Sequence, residues 1–122
     1  MQPVESFMKD YFQVRTECSR DRNDATRVLA FGYLAFDVVE EGDEETILRV
    51  QSSETAAEVI TSYHFAKANR ACRYRYQLIS EGESWQIASI AVECFICDGT
   101  GIFKDSACEV CKGKGWRPLA DD

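Results

Sequence analysis

The chain has 122 residues, 45% of them hydrophobic and 29% charged, and a net charge of −7. That length builds one core rather than two, and the composition belongs with folded globular domains, not with disordered chains. The acidic balance argues against nonspecific binding to nucleic acid or anionic lipid, and the longest uncharged stretches, Val28 to Phe36 and Ser84 to Val92, fall far short of a bilayer span.

The first residues carry Glu5, Lys9 and Asp10 where a secretory signal would need an unbroken apolar run, so the expected location is cytoplasmic, with no membrane partner. Pro3 suits the first turn of a helix. Val4, Phe7, Met8, Tyr11, Phe12 and Cys18 follow the i, i+3, i+4 rhythm of one apolar face. Ser19 to Asp24 is a polar connection, with Asn23 or Asp24 as N-cap of a second helix carrying Val28, Leu29, Phe31, Leu34, Ala35 and Val38. This second segment is apolar nearly all round, so a buried strand also fits it. The run Asp37 to Glu45 holds six acids in nine residues and is expected to form a solvated turn, or else a docking face for a basic partner.

From Thr46 the period changes to two. Ile47, Arg49 and Gln51 alternate with Leu48 and Val50; Ala57, Val59, Thr61, Tyr63 and Phe65 share one face of a longer strand; Cys72, Tyr74, Tyr76 and Leu78 share a face of the next, opposite Arg73, Arg75 and Gln77. Ser80 to Glu83 is a hairpin turn, with Trp85 to Val92 as its return strand. Helices followed by antiparallel strands give an α+β fold, the helices packed on one face of a twisted sheet.

The element order over residues 3–93, ending in the hairpin with Trp85-Gln86-Ile87, resembles the nuclear transport factor 2-like superfamily, which includes ketosteroid isomerase and the SnoaL-like proteins. The resemblance implies a cone-like fold in which helices close a curved antiparallel sheet. That superfamily spans enzymes, carriers and dimerisation modules, so fold alone does not fix function.

Beyond Glu93 the composition changes. Residues 94–122 hold four of the six cysteines and four of the seven glycines, with four bases against five acids. So short a segment with few large apolar residues cannot offset its chain entropy unaided and needs a staple. Two domains are therefore expected, 1–93 and a small appendage over 94–122. The tail contains C-x-x-C-x-G-x-G twice, as Cys94-Phe95-Ile96-Cys97-Asp98-Gly99-Thr100-Gly101 and Cys108-Glu109-Val110-Cys111-Lys112-Gly113-Lys114-Gly115. Two residues between paired cysteines let one tight turn aim both sulfurs at a single ion, and two turns supply a tetrahedral four-thiolate set for Zn²⁺. The glycines supply positive φ and backbone N–H groups that approach the sulfurs. One structural zinc per chain on Cys94, Cys97, Cys108 and Cys111 is the leading reading, because four thiolates leave no open catalytic position. A redox-active pair, disulfides and an iron–sulfur site use the same sulfurs. The repeat is similar to the cysteine-rich zinc region of the DnaJ co-chaperones over residues 94–115, which implies zinc ligation by these four cysteines. Those proteins carry four copies and a J-domain, whereas this chain has two copies and no His-Pro-Asp.

The remaining candidates are thinner. His64, the only histidine, alternates opposite Tyr63 and Phe65 and is expected half-exposed on a strand. Asp37, between Phe36 and Val38, would be a general base only in an apolar pocket, and is otherwise a solvated or capped acid. Cys18 and Cys72 are expected as small buried hydrophobes. Tyr63, Tyr74 and Tyr76 either line a cavity or fill a core. Lys67, Arg70, Arg73 and Arg75 make a local positive patch. Phosphate-loop, serine-hydrolase and zinc-protease motifs are absent. The function these readings favour is a non-catalytic protein-interaction or dimerisation module, bound to a protein partner or a second copy and not to nucleic acid. The alternatives are an isomerase- or hydratase-like enzyme with a pocket in the cone, and zinc-dependent, chaperone-like binding of unfolded protein.

Overall fold

The structure, a computed structural model, describes residues 2–20, 27, 28, 30–32 and 39–118, with the side chains of 19 and 20 left aside. Helix α1 (Val4–Arg20) starts where the carbonyl of Pro3 accepts the Phe7 N–H at 3.0 Å. Glu5 lies in its first turn, where a carboxylate complements the helix dipole. Val4, Phe7, Met8, Tyr11, Arg15 and Cys18 form its buried stripe, so the expected apolar face is present, with one cation set into it. The second expected helix falls largely on residues outside the described ones, as does Asp37. Of its described residues, Arg27, Val28, Ala30 and Phe31 adopt 3-10 conformation, and Phe31 stacks edge-on against Phe7 at 5.4 Å.

The strands are β1 (Glu44–Ser52), β2 (Ala56–Phe65), β3 (Arg70–Glu81), β4 (Ser84–Glu93), β5 (Ile102–Phe103), β6 (Ser106–Ala107) and β7 (Trp116–Pro118). Five of them make one antiparallel sheet in the order β1-β2-β3-β4-β7, and β5-β6 is a separate hairpin. On β2 and β3 the period of two holds throughout. Val59, Thr61, Tyr63, Tyr74, Tyr76 and Leu78 face α1 and are buried, while His64, Arg73 and Gln77 are exposed on the opposite, open face. The tyrosines fill this core: Tyr11 meets Tyr76 at 6.0 Å and Tyr63 meets Tyr74 at 5.5 Å between ring centroids.

Two bulges interrupt the alternation expected elsewhere. Ile47 pairs with Thr61 and Arg49 with Ile60, which leaves Leu48 as an extra residue in β1. Gln77 pairs with Ser89 and Leu78 with Ile87, which leaves Ala88 as an extra residue in β4. One inserted residue exchanges the two faces of a strand from that point on. The core-facing residues of β1 are therefore Glu45, Ile47 and Val50, and those of β4 are Trp85, Ile87, Ile90 and Val92.

The acidic run is not simply a solvated turn. Asp43 accepts hydrogen bonds from the Tyr63 hydroxyl at 2.7 Å and the Ala66 N–H at 2.9 Å, which ties the entry of β1 to the end of β2. Partial desolvation raises the Asp43 carboxyl, but the bonds from Tyr63, Ala66 and Glu40 outweigh it and hold the group below the ordinary carboxylate value. The folded value lies below the unfolded one, so this contribution is complete above the unfolded value of about 4 and fades as pH falls through the folded value. Asp43→Asn should thus flatten the acid limb of a pH–stability curve below about pH 4. Identical acid limbs for variant and wild type would refute the assignment.

Candidate metal centre

The polypeptide leaves the sheet at Glu93, winds through both cysteine turns, and returns as β7 with Trp116 paired to Glu93 itself. The cysteine segment is thus an excursion between two paired residues, and its last three described residues are the fifth strand of the main sheet. Within it the sequence duplication becomes a local two-fold. Asp98 and Lys112 have φ of 53° and 56°, Gly99 and Gly113 of 79° and 78°, and Gly101 and Gly115 both 81°. The Gly101 N–H donates to Cys97 Sγ at 3.3 Å and the Gly115 N–H to Cys111 Sγ at 3.2 Å. Backbone bonds cross between the halves in the same way, from Cys94 N–H to the Gly115 carbonyl at 2.9 Å and from Cys108 N–H to the Gly101 carbonyl at 2.8 Å.

All four sulfurs are buried and lie within 4.8 Å of one another. Cys97 and Cys111 stand 3.6 Å apart and Cys94 and Cys108 3.9 Å, and none of the four is in a disulfide. Four thiolates about 2.3 Å from a central tetrahedral ion stand about 3.8 Å apart, so these separations suit one ion with closed coordination. Desolvation raises the Cys97 thiol. At Cys111 desolvation acts in the same sense, but the Gly115 N–H and the neighbouring thiols outweigh it and bring the value down to about 7. Hydrogen bonds to sulfur favour the thiolate, which is the form a metal binds.

Gly101 and Gly115 show why the motif demands glycine. A Cβ on Gly101 would lie 2.4 Å from the carbonyl oxygen of Gly113, and one on Gly115 2.4 Å from that of Gly99. Gly101→Ala should weaken the centre by more than the roughly 1–2 kcal/mol charged to a side chain at positive φ alone. Gly82 provides the control, since it also has positive φ but nothing within 4 Å of its Cβ position. Metal affinity by chelator competition, together with thermal melts, reads the difference. Equal losses in the two variants would show that the close approach is irrelevant.

The other sequence candidates are scattered. His64 is exposed on the open face, Cys18 is fully buried on the inner face of α1, and Cys72 is half-buried with a thiol raised by desolvation. The positive patch is partly neutralised: Lys67 pairs with Glu40 at 3.0 Å and Arg73 with Glu93 at 2.6 Å. One polar cluster went unanticipated. Arg15 and Glu45 form an ion pair at 2.6 Å with side chains 9% and 2% exposed, and the hydroxyls of Thr61 and Tyr76 both donate to Glu45 Oε2. The Arg15 guanidinium lies over the rings of Tyr11, Phe12 and Tyr63 at 5.2 to 5.6 Å. Its signal was Arg15 falling in phase with the apolar stripe of α1. Both carboxylate oxygens are bound within the protein, so Glu45 is held as a structural anion and not presented as a base.

Fold and site together define an antiparallel α+β chain with a four-cysteine centre able to hold one metal ion. Comparison with protein families, with characterised proteins and with solved structures finds no match. Among the described residues no helix is long and apolar enough to cross a membrane.

Proposed function

We propose that the chain is a non-catalytic protein-interaction or dimerisation module, with a domain resembling nuclear transport factor 2 and one structural zinc in a DnaJ-type turn pair. Zinc is favoured because a buried tetrahedral four-sulfur set with no open position is its usual structural site. An iron–sulfur cluster interposes its own irons and sulfides and would hold the four thiolates farther apart. The observation that carries the interaction reading is the surface of the cysteine segment. Phe95, Ile102, Phe103 and Val110 are 43–61% exposed, and they are four of the six exposed large apolar residues among those described. Of the segment's other large apolar residues, Ile96 packs on the cysteines and Trp116 lies against Arg73 and Arg75, leaving these four open. A segment that spends a metal on rigidity while leaving its large side chains in water presents them to something.

The test is sedimentation of the metal-loaded chain beside an Ile102→Ser/Phe103→Ser variant. A wild type near twice 13.8 kDa, returning to monomer in the variant with metal content unchanged, is the expected result. A wild type that stays monomeric and has the same solubility and stability as the variant would undo the reading. The same exposed residues favour, as a second reading, chaperone-like binding of unfolded protein. Suppression of client aggregation by the wild type, lost in the variant, would select it.

A further inference from the structure

We propose a second site, distinct from the cysteine centre: a cleft on the open sheet face that binds the phosphate group of a small ligand. The cleft has a volume of about 420 Å³ and is lined by Arg75, Ser89, Ala91, Lys114, Trp116 and Pro118. That volume lies within the roughly 300–1,000 Å³ usual for small-molecule sites. Its walls have different origins. Arg75 and Ala91 are paired neighbours on β3 and β4, Trp116 and Pro118 come from β7, and Lys114 sits between the two glycines that close the second cysteine turn.

The cations are placed for an anion and lack one. Among the described residues the ion pairs engage Arg15, Arg27, Arg49, Lys67 and Arg73, and neither Arg75 nor Lys114. The contrast with Arg73 is informative, because it projects from the same face two residues earlier and is neutralised by Glu93 through Nε at 2.9 Å and Nη2 at 2.6 Å. Arg75 has no such acid, and its Nε is buried without an acceptor. Its guanidinium stands 5.0 Å above the Trp116 ring. A stacked guanidinium keeps its in-plane N–H donors for an acceptor at its edge. These two unpaired cations, with Arg117 also on the lining, concentrate positive potential at one place in a chain of net charge −7. A phosphate, with a charge near −2 and several acceptor oxygens, balances two cations where a single carboxylate balances the charge of only one. The phosphate could be free inorganic phosphate or the phosphate of a nucleotide, with Trp116 offering an aromatic surface to the latter.

Titration of the metal-loaded chain, followed through its two tryptophan indole N–H resonances, tests this with four probes: inorganic phosphate, adenosine monophosphate, adenosine, and a glutamate-rich peptide. Both phosphate probes should shift the Trp116 indole saturably, while the Trp85 indole, bonded to the Gln2 carbonyl, stays in place. Tighter binding of the nucleotide than of inorganic phosphate would assign a nucleotide source, and equal binding a free phosphate. Arg75→Gln and Lys114→Gln should each weaken binding by about tenfold or more with one metal per chain retained, which separates a lost contact from a lost fold. No saturable shift at about 10 mM probe, an equal response to adenosine alone, unchanged binding in both variants, or a response only to the acidic peptide would each overturn the proposal. A metal-free chain that bound phosphate would sink the zinc reading and leave this one standing.

Discussion

Replacing Cys108 with Ser should remove the metal from the chain and, with it, the fifth strand of the sheet. The substitution is costly because a serine hydroxyl stays protonated near neutral pH and is a far weaker ligand than a thiolate, so the fourth position is left poorly held. Structural zinc in small folds contributes apparent binding free energies of about 10–16 kcal/mol near neutral pH, and that binding energy is folding energy for the segment that carries the ligands. Little else holds residues 94–115. Its own sheet is the two-residue hairpin β5-β6, and Phe95, Ile102, Phe103 and Val110 are only partly covered. Its return point, Trp116–Pro118, pairs with only three residues of β4. Metal content should fall from about one per chain to less than about 0.1. Amide protection should vanish over 94–118, while the β2-β3 core, flanked on both sides, keeps its own. Chelation of the wild type should give the same pattern reversibly. If the Cys108→Ser chain kept its metal, or kept protection at Trp116 and Arg117 without it, the four-thiolate staple would be wrong.

What was legible in the sequence is what local periodicity records. The α1 stripe, the alternation of β2 and β3, and the doubled cysteine motif each depend on spacing along one segment, and each sits where the spacing puts it. The bulges at Leu48 and Ala88 were not legible, because an extra residue is defined only against the partner strand. The strand β7 was hidden for a related reason. Trp116-Arg117-Pro118 has no strand pattern of its own, and it joins the sheet because the excursion through the metal turns closes back on Glu93. That return is also what brings an aromatic ring to the arginine face. In β3 alone, Tyr74 and Tyr76 point away from Arg73 and Arg75, so the strand's own rings do not meet its arginines. Trp116 then arrives over both arginines from a distant part of the chain, at 5.7 and 5.0 Å. Glu45 was masked by its company. Five acids precede it between Asp37 and Glu44, and only the pairing of β1 with β2 turns Glu45 inward while Glu44 stays exposed.

That inward carboxylate leads to the largest single-residue effect expected in the main domain. Glu45→Ala should destabilise the fold by about 3–5 kcal/mol, the range for breaking one side of a buried pair, because Arg15 then keeps a buried charge without its counter-ion. Burial opposes the charge on Arg15, yet Glu45 and the nearby tyrosines hold it protonated even more firmly than a free arginine. The variant loses the Glu45 part of that support, and because an arginine does not deprotonate inside a protein the charge stays, buried and uncompensated. It also strands the Thr61 and Tyr76 hydroxyls that donate to Glu45, and each unsatisfied buried donor adds to the loss. Arg15→Met alone should be comparably harmful from the opposite side, leaving a carboxylate with two hydroxyls and no cation. The double variant Arg15→Met/Glu45→Gln separates pairing from packing. It retains side chains of similar length and an acceptor for the two hydroxyls, and replacement of a buried pair by well-packed neutral groups is often neutral or better. Urea unfolding should place it well above either broken pair, with a coupling between the sites of at least about 2 kcal/mol in the double-mutant cycle. A cycle in which the two losses simply add would mean that Arg15 and Glu45 act independently, and that α1 is held to the sheet by its apolar stripe alone.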